Sequence, residues 1–204
     1  MKVLLINGSP HENGCTYTAL CEVAKTLETE GIETQIFQIG KAPVRGCIAC
    51  GACGKLGKCA FDDDLANEMM RLMKEADGIV VGSPVYYAGP NGALCALLDR
   101  AFYASGGFAF KPAAAVVSAR RSGTTATFDR LNKYFTMNRM PIVSSQYWNG
   151  VHGFTPEDVK KDEEGLQTMR TLAYNMAWML KNIAAGKQPM PTIEPWQPTH
   201  FISD

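Results

Sequence analysis

The chain has 204 residues, 20 basic and 20 acidic side chains, a formal charge of zero, 46% hydrophobic residues and 7 cysteines. That length suits a single domain of the usual ~50–250 residues, and the apolar fraction excludes a disordered chain. Neutrality excludes a broad nucleic-acid face and adhesion to an anionic membrane, and no apolar run reaches the ~18 residues of a spanning helix.

The first segment, Lys2 to Ile6, is a short apolar run that stops at Asn7-Gly8-Ser9-Pro10, as a strand buried on both faces does. It has neither the length nor the small-residue cleavage site of a signal peptide, so a cytoplasmic protein is expected. Thiols there stay reduced, and a cluster of cysteines then points to metal or redox chemistry before disulfides. From Thr16 to Glu30, Ala19, Leu20, Val23, Ala24 and Leu27 recur at helical spacing, with Gly31 as the stop. Thr34 to Ile39 reads as the second strand. An irregular Cys- and Gly-rich stretch follows, and then a helix marked by Leu65, Met69, Leu72, Met73 and Ala76. Asp62, Asp63 and Asp64 at its start are read as caps at the positive helix end rather than as metal ligands.

Gly78 to Gly82 is the third strand, ended by Ser83-Pro84, and Leu94, Leu97, Leu98, Ala101 and Phe102 mark the next helix. Ala113 to Ser118 is the fourth strand, Thr125 to Met137 a helix and Pro141 to Ser144 the fifth strand. A last helix carries Leu166, Met169, Leu172, Met176, Met179, Leu180 and Ile183 on one stripe, its methionines read as core filler. Strands alternating with helices specify a doubly wound α/β fold, a five-stranded parallel sheet in three layers. Residues 1–186 form the domain, with a Cys-rich insertion at 43–61, and the Pro-rich residues 187–204 form an extended tail. Ligands of such sheets bind beyond the carboxyl ends of the strands, so the loops after strands one, three and four should carry the chemistry.

The first of these loops, Gly8-Ser9-Pro10-His11-Glu12-Asn13-Gly14-Cys15-Thr16, leads straight into a helix. Tight glycine turns, the hydroxyls of Ser9 and Thr16 and the free N–H groups of the helix start make a phosphate cradle. The loop has no lysine for a triphosphate and lacks the second glycine of a dinucleotide fingerprint. A terminal monophosphate such as that of FMN suits it; the alternative is an ordinary strand-to-helix turn.

This loop resembles the G-S-P-R-x-x-G-N-T loop of the NAD(P)H-dependent FMN reductase and iron–sulfur flavoprotein group of the flavodoxin-like superfamily. Ser83-Pro84-Val85-Tyr86-Tyr87-Ala88-Gly89-Pro90-Asn91-Gly92, followed by Leu97-Leu98-Asp99-Arg100, is similar to that group's second flavin loop and the helix after it. The likeness spans most of the first 130 residues. His11 stands where arginine is usual and Cys15 where asparagine is usual; His11 retains one hydrogen-bond donor, and Asn13 is placed to supplement it. The resemblance implies an FMN site formed by Ser9, His11, Asn13, Cys15, Thr16, Pro84, Val85, Tyr86, Tyr87, Gly89, Asn91, Ser118, Arg120 and Gly123. Pro84 to Tyr87 supply the apolar wall that an isoalloxazine ring needs. Arg120 and Arg121 have three readings: a partner for the pyrimidine edge, a partner for a nicotinamide donor's phosphate, or a solvated turn. No general acid or base is expected, because the flavin itself receives the hydride. His152 and His200 read as packing or surface residues.

Cys47, Cys50, Cys53 and Cys59 are spaced C-x2-C-x2-C-x5-C. Such spacing wraps one compact object, and a [4Fe–4S] cube suits it better than structural zinc, which favours two separated knuckles. A comparable compact motif holds the cluster in the iron–sulfur flavoproteins that the chain resembles. Free thiols that shape the flavin site, or a redox dithiol at Cys50 and Cys53, are the alternatives. Cys15, Cys21 and Cys95 read as small buried residues.

The expected function is an FMN-dependent oxidoreductase taking hydride from NAD(P)H and passing it to a quinone, flavin, azo or nitro acceptor. The rival is an iron–sulfur flavoprotein relaying single electrons between a ferredoxin-like partner, a [4Fe–4S] cluster and FMN. A zinc-stabilised interaction module is a third reading. A homodimer or homotetramer is expected, with Tyr147, Trp148, Trp196 and Phe201 as candidate contacts.

Overall fold

A computed structural model describes residues 1–104, 106–186, 188–195 and 197. The elements run β1 (Lys2–Asn7), α1 (Cys15–Thr29), β2 (Glu33–Gln38), α2 (Cys53–Leu56), α3 (Ala66–Glu75), β3 (Gly78–Tyr86), β4 (Gly89–Pro90), α4 (Gly92–Ala104), β5 (Ala113–Ala119), α5 (Thr124–Met137), β6 (Gly150–His152), α6 (Pro156–Val159) and α7 (Glu163–Ala184). Five strands pair in parallel in the order β2-β1-β3-β5-β6, and β4 forms a short antiparallel hairpin with the end of β3. This is the flavodoxin-like order.

Successive side chains of a strand face opposite ways, and here both faces are dry. Leu4, Ile6, Ile79, Val81, Ala113, Ala115 and Val117 join one core with α3, α4 and α5. Val3, Leu5, Val80, Ala114 and Val116 join the other with α1 and α7. Continuous apolar runs rather than alternating ones are the mark of such a doubly covered sheet. On α7, Met169, Leu172, Met176 and Leu180 are buried, so the stripe packs on the sheet as its spacing requires, while Ile183 stays exposed. No helix among the described residues is long and apolar enough to cross a membrane.

Three boundaries differ from expectation. The strand expected at Pro141 to Ser144 is only a bridge, Ile142 beside Ala113, and the regular edge strand is β6. The chain hydrogen-bonds β5 at Pro141 and Val143, leaves the sheet, and rejoins at Asn149, whose side chain donates to the Ala115 carbonyl (3.1 Å) in place of a backbone N–H. β3 does not end at Ser83-Pro84 but runs to Tyr86, because Ser83 and Pro84 still pair with Val117 and Ser118 of β5. α3 starts at Ala66 after Leu65, which has no side-chain cap bond. Of the three aspartates only Asp64 reaches a helix-start amide, that of Ala66 (3.1 Å); Asp63 pairs with Arg45 and Asp62 accepts from Asn67. Described residues 188–195 are exposed and without regular structure; Trp196, His200 and Phe201 lie outside the described residues.

Candidate functional site

The parallel order turns around between β1 and β3, and a cleft of about 980 Å³ opens there beyond the strand ends. The β1 loop forms its floor. Gly8 donates to the Gly82 carbonyl at 2.8 Å, and a Cβ at Gly8 would lie 2.6 Å from that oxygen, so only glycine lets the loop lie against β3. Asn7, fully buried, accepts from the Ser9 amide at 3.2 Å and donates to Gln38 of β2 at 2.5 Å; Gln38 in turn donates to the Ser9 carbonyl at 2.7 Å. The loop is thereby shaped before any ligand arrives.

α1 begins at the cleft. Gly14 caps it with no side-chain bond and its first turn has no acidic residue, although Glu12 of the preceding loop also lines the cleft. Such a terminus favours an anion by roughly 0.3–1 kcal/mol from the dipole alone. Ser9, His11, Asn13, Cys15 and Thr16 all line the cleft. Ser9 Oγ accepts from the His11 amide (3.1 Å), and Thr16 Oγ1 shares a 2.8 Å hydrogen bond with Ser118 Oγ, which joins α1 to the end of β5. Cys15 donates to the Gly153 carbonyl at 3.7 Å. Burial, reinforced by Asp158 and Glu157 and only partly offset by its own amide, pushes this thiol up, so it faces the cradle uncharged. A neutral thiol leaves the cradle's positive potential intact.

Pro84, Val85 and Tyr86 form the apolar wall, and Ser118, Ala119 and Arg120 the side beyond β5. Tyr87, Gly89, Asn91 and Gly123 do not line the cleft. Tyr87 is fully exposed at the tip of the β3–β4 turn, with a φ of 48°. Gly89 pairs with Tyr86 in the hairpin. Asn91 is buried beneath the loops: it donates to the Gly8 carbonyl (2.8 Å), accepts from the Ala93 amide (2.9 Å), and its own amide donates to Ser83 Oγ (3.0 Å). Gly123 has a φ of 91°, and a Cβ there would meet Val85 at 2.9 Å and the Ala88 backbone at 3.0 Å. Asn91 and Gly123 shape the wall from behind.

Further lining residues come from segments with no motif in the sequence: Gln38, Gly40 and Lys41 at and after the end of β2, and Gly153, Phe154, Thr155 and Pro156 leading into α6. The second group is held by a capping box, in which Thr155 accepts from the Asp158 amide and Asp158 from that of Thr155. The T-P-E-D string carries that signal, but nothing local shows that it returns to the β1 loop.

A second cavity of about 240 Å³ lies in the cysteine loop, and Cys47, Cys50, Cys53 and Cys59 all line it, with Phe61, Arg100 and Tyr103. Positive φ at Ala49 (54°), Gly51 (70°) and Gly57 (65°) turns the chain around it, and α2 supplies a short helical turn inside the stretch expected to be irregular. Cys47 and Cys50 are exposed, Cys53 is half-buried and Cys59 is buried. Cys15, Cys21 and Cys95 are also half-buried rather than enclosed. Among the described residues no three His, Cys, Asp or Glu side chains are gathered tightly enough to hold one metal ion. Arg100, 2% exposed, donates Nε–H to Cys59 Sγ at 3.2 Å. Burial pulls its guanidinium down, but Asp64 and Cys59 outweigh this and hold it above its ordinary value, so it remains a cation.

The model of the NADPH-dependent FMN reductase family matches residues 1–155. The chain belongs to this family. Two full-length relatives of this FMN reductase family member are iron–sulfur flavoproteins. That of Methanocaldococcus jannaschii is 35% identical over 192 residues, covering 90% of this chain and 99% of the relative. That of Methanosarcina thermophila is 30% identical over 192 residues, covering 92% and 99%. A solved flavodoxin from the domain Archaea superposes with a TM-score of 0.59 at 16% identity, over 89% of this chain and 99% of that one. The flavodoxin-like fold and the FMN reductase family are thus both established for this chain.

Proposed function

We propose that this protein holds FMN in the cleft and a [4Fe–4S] cluster in the cysteine cavity, and passes electrons between a ferredoxin-like partner and a small-molecule acceptor. The observation that carries this reading is the convergence of all four spaced cysteines on one cavity walled by a buried cation. A mononuclear tetrahedral zinc, with Zn–S near ~2.3 Å, needs sulfurs within about 4 Å of one another. The four cysteines here line one cavity of about 240 Å³, room for a group bulkier than a single ion.

The cleft fits FMN on its own terms. The α1 amides, Ser9 Oγ and the Lys41 ammonium suit a terminal phosphate, with Lys41 supplying a permanent cation at the cleft. Pro84, Val85 and Tyr86 would cover a flat ring and exclude water from one face, and Ser118 and Arg120 would meet its polar edge. Cys47, Cys50, Cys53 and Cys59 would ligate the cluster. When bound, FMN supplies hydride or single-electron chemistry and the cluster supplies single-electron transfer. A hydride supply from NADPH is the second reading; it is favoured by Arg120, an exposed cation on the cleft rim where a donor's phosphate would approach.

Anaerobic purification followed by iron, sulfide and FMN analysis tests the proposal. Flavin bands together with a broad visible absorption that bleaches with dithionite support it. Flavin bands with no iron after reconstitution leave the reductase alone, and a protein that takes up no FMN removes both. Bleaching of the flavin bands by NADPH under argon tests the second reading.

A further inference from the structure

Arg100 is an unusual residue to bury. A guanidinium removed from water is costly unless its donors are well paired, and an apolar side chain of similar size commonly packs better. Its acceptors show what the arginine does. Nε donates to Cys59 Sγ (3.2 Å), Nη1 to the Arg45 carbonyl (3.1 Å) and to Asp64, and Nη2 to the Phe61 carbonyl (3.2 Å). Among the described residues these four acceptors all lie between residues 45 and 64, on both sides of the cysteine run, and none of the four belongs to the sheet or to another helix. Asp64 closes the arrangement by accepting from the amides of Arg45 (3.1 Å) and Ala66 (3.1 Å). One planar fork on α4 therefore gathers the entry and the exit of the loop and aims a charged N–H at the sulfur of its last cysteine. Lysine, with a single flexible ammonium, cannot reproduce that geometry.

We propose that Arg100 is a positioning residue for the cluster site: it holds the loop ends closed and donates a hydrogen bond to the Cys59 ligand sulfur, which raises the cluster's reduction potential. The inference rests on the reading that the four cysteines hold a cluster. The direction follows from charge, because a cationic N–H on a ligand sulfur stabilises the more negative, reduced cluster over the oxidised one. Loss of such a partner to a metal ligand typically costs about 10–100-fold in metal retention.

The test uses the holoprotein purified anaerobically. Wild-type protein labelled with ¹⁵N in its arginine guanidinium groups is reduced with dithionite, and pulsed EPR reads the ¹⁵N hyperfine coupling to the cluster. The coupling is expected in wild type and absent from labelled Arg100→Lys. An EPR-monitored redox titration follows, with Arg100→Lys and the charge-balanced pair Arg100→Gln/Asp64→Asn. Both variants are expected to titrate at lower potential and to lose iron to a chelator at least about tenfold faster, with FMN content and circular dichroism unchanged. Wild-type protein without ¹⁵N coupling overturns the proposal even if neither variant folds. Folded variants with the wild-type potential overturn it as well. In both of these cases the cluster reading stands. A wild-type chain that takes up no iron after reconstitution overturns both.

Discussion

Asn91→Ala separates a residue that touches the flavin from one that builds the site beneath it. Asn91 is 8% exposed and bridges three segments: the end of β1 at Gly8, the extension of β3 at Ser83 and the start of α4 at Ala93. Truncation leaves the buried Gly8 carbonyl without that donor, at about 1–3 kcal/mol, and removes a cap-like acceptor from the Ala93 amide, at about 0.5–2 kcal/mol. The sum, about 1.5–5 kcal/mol, corresponds to a fall in Tm of roughly 3–20 °C for a domain of this size. The apo-protein should show that fall in a thermal melt followed by circular dichroism. Saturating FMN should restore less stability than in wild type, because the displaced Gly8 loop binds phosphate more weakly. Asn91→Asp is the informative companion. It keeps an acceptor for Ala93 but sets a carboxylate against the Gly8 carbonyl, so it should be no better than Ala. An Asn91→Ala apo-protein melting within about 1 °C of wild type, or full rescue by Asp, would refute the assigned bridging role.

Other sites have similarly direct tests. Gly123→Ala places a methyl into Val85 and the Ala88 backbone at a φ of 91°; it should weaken FMN binding at least about tenfold in a fluorescence titration while the apo-protein loses about 1–3 kcal/mol in urea. Thr155→Ala breaks the capping box of α6 and should cost about 1 kcal/mol, with faster FMN release in stopped-flow because Thr155 and Phe154 line the cleft. Although burial alone would raise it, Arg100 and two backbone amides hold the Asp64 carboxyl below its ordinary value. Its stabilisation is therefore complete above the unfolded pKa of about 4 and lost as pH falls through the folded value. Asp64→Asn should accordingly lower stability at pH 7 and flatten its decline below about pH 4 in acid-titrated urea melts. Cys53→Ser and Cys59→Ser should each abolish the iron content and the broad visible absorption beneath the flavin bands while FMN stays bound, and Cys21→Ser should not.

Much of the fold was legible because a sheet buried on both faces leaves uninterrupted apolar runs, as at Val3 to Ile6 and Ala113 to Val117. The site was legible where one continuous segment forms it, as in the Gly8 to Thr16 loop. It was not legible where distant segments meet: nothing local to Lys41 or Phe154 says that either faces the β1 loop. Tyr87 and Asn91 show the converse limit. They sit inside a motif, but Tyr87 falls in the turn between β3 and β4, at a φ of 48° and exposed, while Asn91 follows β4 and is buried under the floor. The edge strand was misplaced for a related reason. Pro141 to Val143 has the residues of a strand, yet regular pairing resumes only after a side chain has stood in for the backbone at Asn149.

That stand-in has a consequence for the edge of the sheet. An open sheet margin with a long row of free amides and carbonyls invites a foreign strand to add itself. Here the outer margin is cut in two. The three residues of β6 offer too short a template, and the departure before Asn149 instead presents the exposed rings of Tyr147 and Trp148, 4.9 Å apart between centroids. The interrupted margin resists the addition of a foreign strand, and what it presents there is side chains rather than a bare backbone.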